Sequence, residues 1–421
     1  MKIIDVLFTK SFTGFYFDDQ RAIKKGAKTD GNFILGSPIT PGFTSVRQAG
    51  EAISIQLVLE DGSIAYGDCA AVQYSGVGGR DPLFLADEYM PFMEKEVKPL
   101  LIGLDVSTFR ENATHFDHIK INGKRLHTAI RYGLSQAFLY ATALTNKLTM
   151  AEVIRKEYNM TSDVYESIPV FTQSGDDRYN NTDKMIIKRV GVISHGLFNN
   201  VSEKFGLQGE KMIDYIKWIK ARIAFVKDET YKPIFHLDTY GSVGIAFEND
   251  MDKMIDYLLT VEKVAHPHLI RIEGPVDLDT KEETMQTIKE MTRRLKDVGS
   301  TLEIVVDEWC NTLEDVKYFV DNNAGHMIQI KTPDLGSLTN TIEAILYCVE
   351  KGVSAYCGGT CNETNISAEI TMNVAIATHA SQVLGKPGMG VDEAFMICRN
   401  EINRVVELAN NRKRINQKIA G

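Results

Sequence analysis

From residue 168 onward the chain repeats one rhythm: a short apolar run, an amphipathic stretch of helical period, and another apolar run. The runs lie at 168–171, 185–187, 233–237, 269–272, 302–306, 327–330 and 353–356. Between them, Met212, Ile216, Ile219 and Ile223, and likewise Leu338, Ile342, Ile345 and Val349, recur every three or four residues. Each such helix therefore presents one apolar face. Thr280 followed by Glu283 opens another helix with a capping-box pattern, and Ile288, Met291 and Leu295 point inward from it. Short strands joined through helices pair in parallel, and seven or more such units in series predict a closed (β/α)8 barrel. An open doubly wound sheet is the alternative.

Residues 1–165 read differently, as an α+β domain ahead of a barrel domain at 166–421 that ends in a helical segment. The alternation over 52–59, the dipeptide Asp61-Gly62 and the run 63–66 predict a hairpin. Gln73 to Pro82 follows, with Gly76, Gly78 and Gly79 inside four positions, and reads as a mobile loop. Ile130, Leu134, Ala137, Ala141 and Leu144 then recur at helical spacing.

The residue that ends each apolar run carries the functional signal. Leu237 is followed by Asp238, Ile272 by Glu273, Val306 by Asp307 and Ile330 by Lys331, at intervals of 35, 34 and 24 residues. One acid at a strand end is ordinarily a cap or turn residue. Three in consecutive units, followed by a lysine, converge on the carboxyl-terminal mouth of a barrel, where barrel active sites are built. Three converging carboxylates repel one another unless a cation neutralises them, and an all-oxygen ligand set selects magnesium over zinc.

Competing sites are weaker. His266-Pro267-His268, with His236 as a further imidazole, lacks a third ligand at fixed spacing, and Cys357 and Cys361 form an incomplete pair. Tyr240-Gly241-Ser242-Val243-Gly244 follows a strand but lacks the third glycine of a nucleotide loop. A net charge of −9 argues against a nucleic-acid partner. No apolar run reaches membrane-span length, and six scattered cysteines need no disulfide framework, so the expectation is a cytoplasmic protein with reduced thiols.

Lys331 is then expected to act as a base. Three carboxylates against one dication leave one negative charge, so the cluster does not push the lysine neutral, and desolvation is expected to lower its pKa. The loop at Gly76 to Gly79 is the candidate lid that supplies it.

The stretches QYSGVGGRDPLF, FTQSGDDRYNNTDKMI, ISHGLFNN, HLDTYG, IEGPVD, VDEWCNT, QIKTPDLG and CGGTCNETN span Gln73 to Asn365. They resemble the enolase superfamily and, within it, the methylaspartate ammonia-lyases. That resemblance implies a modified TIM barrel behind an enolase-type α+β capping domain, and magnesium on Asp238, Glu273 and Asp307. It implies that Lys331 removes the C3 proton of (2S,3S)-3-methylaspartate, with His195 on the opposite face serving the other C3 epimer. His195 and Gln329 would hold the carboxylate that faces the metal, and Gln173, Thr360 and Cys361 the one beside the amino group. Ammonia leaves and mesaconate forms, a step of glutamate fermentation. A homodimer and a monovalent cation such as potassium are implied as well.

Three rival readings remain. Enolase shares a segment like QIKTPDLG, but its phosphate-binding serine-rich loop has no counterpart here. Racemases of the superfamily place a KxK or a His-Asp pair on other strands, whereas the second strand here ends in ISHG. A non-catalytic barrel would be free to lose Lys331 or one of the acids, and all are present.

Overall fold

The structure, a computed structural model, describes residues 1–420 apart from Gly78 and Asp163. Its first part is a three-stranded antiparallel sheet in which Arg47–Leu59 lies between Ile3–Asp18 and Ile64–Cys69. The predicted hairpin is the pair Arg47–Leu59 and Ile64–Cys69. Helix Thr128–Asn146 lies across this sheet, burying Ile130, Leu134, Ala137 and Ala141 as their spacing requires. Two glycines permit the close approach. A Cβ on Gly67 would stand 2.2 Å from the Gly133 carbonyl oxygen, and one on Gly133 would stand 2.5 Å from Cys69 Sγ.

Eight strands then close a parallel barrel in chain order: Val170–Phe171, Val192–His195, Ile234–Asp238, Ile270–Glu273, Glu303–Val306, Met327–Ile330, Ser354–Cys357 and Gln382–Leu384. Every strand is buried on both sides, by helices outside and by its own side chains inside, which explains the near-continuous apolar runs. Phe171, Val192, Val305, Met327, Tyr356 and Leu384 fill the interior. One continuous outer core runs from the antiparallel sheet through the helices around the barrel.

Three expectations need correction. The run 185–187 is the end of helix Arg178–Ile187, whose last residue is 74% exposed, and not a strand; the second strand is Val192–His195, which ends at the expected ISHG. Three consecutive apolar residues cannot distinguish the two states, since length arbitrates only for longer segments. The eighth strand, Gln382–Leu384, was not anticipated, because three residues hydrogen-bonded on both sides need no apolar run of their own. Val349, read as inward, is half-exposed near the end of helix Leu338–Glu350.

Candidate active site and metal centre

Asp238 and Glu273 are the last residues of the third and fourth barrel strands, and Asp307 and Lys331 immediately follow the fifth and sixth. Parallel strands in register carry all four to one mouth. One oxygen from each of Asp238, Glu273 and Asp307 lies within 4.8 Å of the others, and among the described residues no other group of three metal-ligating side chains gathers so. His266, His268, Cys357 and Cys361 form no such group; His268 Nδ1 instead meets the Pro233 carbonyl oxygen at 2.9 Å.

Asp238 is 6% exposed and Glu273 1%. Burial raises the carboxyl of Asp238 well above its ordinary range, and the neighbouring Asp307 adds to this. Burial also raises Glu273, with Asp238 and Asp307 reinforcing it. Such a cluster is costly as three anions and suits a hard divalent cation, which would relieve both the repulsion and the desolvation. All the donors are carboxylate oxygens, so magnesium fits the set better than a metal that prefers sulfur or nitrogen.

Lys331 Nζ lies 2.8 Å from Asp307 Oδ1. Burial lowers its pKa, as expected, but Asp307, Glu308 and Asp334 outweigh burial and hold the ammonium above its ordinary value. The expectation of a lysine neutralised by desolvation is thereby corrected. It counted the three acids of the cluster and missed Glu308 and Asp334, which the folded loops bring alongside.

His195 ends the second strand with φ 71°. Its Nε2 shares a 3.1 Å hydrogen bond with the Tyr240 hydroxyl and lies 3.8 Å from Asp238 Oδ2. Burial, aided by Lys204, pushes its pKa down to about 3, so the ring is neutral at ordinary pH. Gln329 Nε2 donates to Glu273 Oε1 at 2.7 Å. The remaining oxygens of Gln329 and of Gln173 are buried with no hydrogen-bond partner among the described residues. Gln173, Gln329, Thr360 and Cys361 line one cavity of about 430 Å³. Burial pushes the Cys361 thiol up to about 12, and Sγ faces Gln73 Oε1 at 3.6 Å.

The loop between strand Ile64–Cys69 and helix Ala86–Phe92 reaches this mouth. Arg80 Nε donates to Asp334 Oδ2 at 2.9 Å and Nη2 to Asn311 Oδ1 at 3.3 Å, which ties residues of the first part to the segments that follow the fifth and sixth barrel strands. Gly76 and Gly79 adopt φ of 72° and 78°, conformations that favour glycine; Gly78 of the same expected lid lies outside the described residues.

Several residues of the site escaped the sequence reading. Tyr240, Glu308 and Gln73 sit on loops, and Asp334 in the short helix Thr332–Leu335, whose paths only the fold reveals. His236 was weighed only as a zinc ligand; its position two residues before Asp238 on one strand placed it on the same face and was the available signal.

The comparisons with known proteins agree with this geometry. A family model described as the methylaspartate ammonia-lyase N-terminus matches residues 1–159, and one described as its C-terminus matches 163–411. The methylaspartate ammonia-lyase of Clostridium tetanomorphum is 58% identical over 414 residues, covering 98% of this chain and 100% of that one. The crystal structure of β-methylaspartase from Clostridium tetanomorphum as its magnesium complex superposes with a TM-score of 0.95 at 57% identity, covering 98% of this chain and 100% of that one. The Citrobacter amalonaticus methylaspartate ammonia lyase containing (2S,3S)-3-methylaspartic acid does so with a TM-score of 0.95 at 51% identity, covering 97% and 99%. Muconate lactonizing enzyme, at 14% identity and a TM-score of 0.59 over 90% of this chain and 85% of that one, shares the fold alone. With the two family models together matching residues 1–159 and 163–411 and more than half of all positions identical to a full-length relative, the chain belongs to the methylaspartate ammonia-lyase family.

Proposed function

We propose that this chain is a magnesium-dependent carbon–nitrogen lyase that eliminates ammonia from (2S,3S)-3-methylaspartate to give mesaconate. The observation that carries the reading is the acid triad, with its oxygens within 4.8 Å, flanked by Lys331 on the Asp307 side and His195 on the Asp238 side. Asp238, Glu273 and Asp307 would hold the cation. When bound, it supplies positive charge where negative charge develops on the substrate carboxylate next to C3.

Lys331 takes the proton from C3 once it has lost its own; the hold of Asp307 on its ammonium would weaken when that carboxylate also binds a cation. The C3–H electron pair becomes the C2–C3 double bond, the C2–N bond breaks, and the protonated amino group departs as ammonia. Gln329 and His195 orient the carboxylate next to C3; Gln173, Thr360 and Cys361 receive the one beside the amino group. The partnerless oxygen of Gln173 is suited to accept from the substrate ammonium and that of Gln329 is free to accept from solvent or a protonated group. Neutral His195 can accept a proton on its own face. The test is ultraviolet detection of an unsaturated dicarboxylate from 3-methylaspartate, with and without magnesium; no product in magnesium would refute the reading.

The loop carrying Gly76 to Arg80 serves as the lid, held down by the Arg80–Asp334 pair. Arg80→Ala is expected to lower kcat/KM about tenfold, the effect of about 1.4 kcal/mol in the barrier, while the circular dichroism spectrum stays unchanged. Unchanged kcat/KM would remove the lid from the mechanism.

The division at 165/166 is supported by the antiparallel sheet lying wholly before it and the barrel strands wholly after it. A monovalent cation such as potassium and a homodimer carry over from the resemblance. Activity in potassium against tetramethylammonium, and sedimentation velocity, test them. Among the described residues no helix is long and apolar enough to cross a membrane.

A further inference from the structure

Beneath the acid triad a chain of buried polar side chains runs down the barrel. His236 Nε2 meets Glu273 Oε2 at 2.6 Å, and His236 Nδ1 meets Gln382 Nε2 at 2.9 Å. Gln382 Oε1 accepts from Arg271 Nη1 at 2.6 Å, and Arg271 Nε donates to Glu303 Oε2 at 2.6 Å. His236 and Gln382 are fully buried and Arg271 nearly so. The imidazole is also clamped by packing. It stacks on Phe171 with centroids 4.2 Å apart and planes 11° apart, and Tyr356 packs edge-on at 5.6 Å.

The direction of this chain follows from one end. A guanidinium only donates, so the Gln382 atom facing Arg271 is its oxygen, and the atom facing His236 is its NH2. His236 Nδ1 must then accept. A neutral imidazole carries its single proton on the other nitrogen, so Nε2–H points at Glu273. Glu273 receives a second donor, Gln329 Nε2, on its other oxygen. Two fixed donors pin the carboxylate plane and leave its remaining lone pairs to face Asp238 and Asp307.

We infer that His236 is a positioning residue, held in its Nε2–H tautomer by Arg271 through Gln382, and that it sets the affinity of the centre for magnesium by orienting Glu273. The inference rests on the metal reading proposed above. Outer partners of a ligating carboxylate typically contribute about 10- to 100-fold in metal affinity. A chain serving only to satisfy a buried arginine would contribute nothing to it.

Two isosteres separate these roles. A glutamine amide nitrogen falls near the Nε2 position of histidine, and an asparagine amide near Nδ1. His236→Gln keeps the donor to Glu273, whereas His236→Asn removes it. Isothermal titration of the metal-free full chain with magnesium chloride alone should give a Kd within about threefold of the parent for His236→Gln. For His236→Asn it should be about 10- to 100-fold weaker. Equal Kd values for both variants and the parent would overturn the inference, as would equal weakening of both. Failure of the parent chain to bind magnesium would instead overturn the metal reading, and the inference with it. Should His236→Asn fail to fold, the parent chain decides. Nitrogen-15 spectra of labelled histidine, with the signal assigned by its loss in His236→Gln, should show a pyrrole-type Nε2 and a pyridine-type Nδ1. The opposite pattern would refute the inference.

Discussion

Replacing Lys331 by alanine is expected to cut ammonia release from the (2S,3S) epimer by about 10²- to 10⁴-fold, the range a positioned base contributes. His195→Ala should spare more of that activity and selectively suppress the (2S,3R) epimer. The geometric reason lies in the ring of strands. His195 ends the second barrel strand and Lys331 follows the sixth, four places apart in a ring of eight, so the two approach from opposite walls. The acids of the third, fourth and fifth strands lie between them, one beside each: Asp238 at 3.8 Å from His195 and Asp307 at 2.8 Å from Lys331. A base removes only a proton presented on its own side. Rates for both epimers in both variants, together with hydrogen exchange at C3 in deuterated water, measure this directly. Equal losses on both epimers in the two variants would refute the two-faced site.

Chelation should abolish turnover, and Asp238→Asn, Glu273→Gln and Asp307→Asn should each weaken magnesium binding by more than the about 10- to 100-fold expected of an outer partner. Activity persisting in excess EDTA would sink the assignment. Stability provides a second readout with a definite sign. Asp238 and Glu273 both lie well above their ordinary values of 3.8 and 4.5. A carboxyl raised in the folded state binds its proton more tightly there than in the unfolded chain. Its stabilising contribution is full below the unfolded value and is lost as pH rises through the folded one. In EDTA the protein should therefore lose thermal stability as pH climbs from about 4, and Asp238→Asn should flatten that slope. Added magnesium should raise Tm for the parent chain by mass action and do so far less for the variant. A Tm in EDTA that is independent of pH between 4 and 8 would contradict the raised carboxyls.

The barrel and its mouth were legible because both arise from local periodicity. Apolar runs separated by one-faced helices dictate parallel strands, and a polar residue ending each run must emerge at the same rim. Asp238, Glu273, Asp307 and Lys331 could be picked out on that basis, while His195, Gln173, Gln329, Thr360 and Cys361 came only from the resemblance. Runs too short to show a period failed: 185–187 turned out helical and Gln382–Leu384 was missed.

What the sequence by itself determined was therefore the order of the βα units, the charged residue closing each of four strands, and the oxygen-only ligand set. Tertiary structure decided the electrostatics. Lys331 is held above its ordinary value because Glu308, on the loop after the fifth strand, and Asp334, in the short helix after the sixth, face it alongside Asp307. His236 meets Glu273 from the neighbouring strand, and Gln382, 146 residues away in the chain, completes its hydrogen bonds. Periodicity is a property of neighbours along the chain, whereas a pKa or a tautomer depends on distances across the barrel. Closure of the ring creates those distances, and no local pattern encodes them.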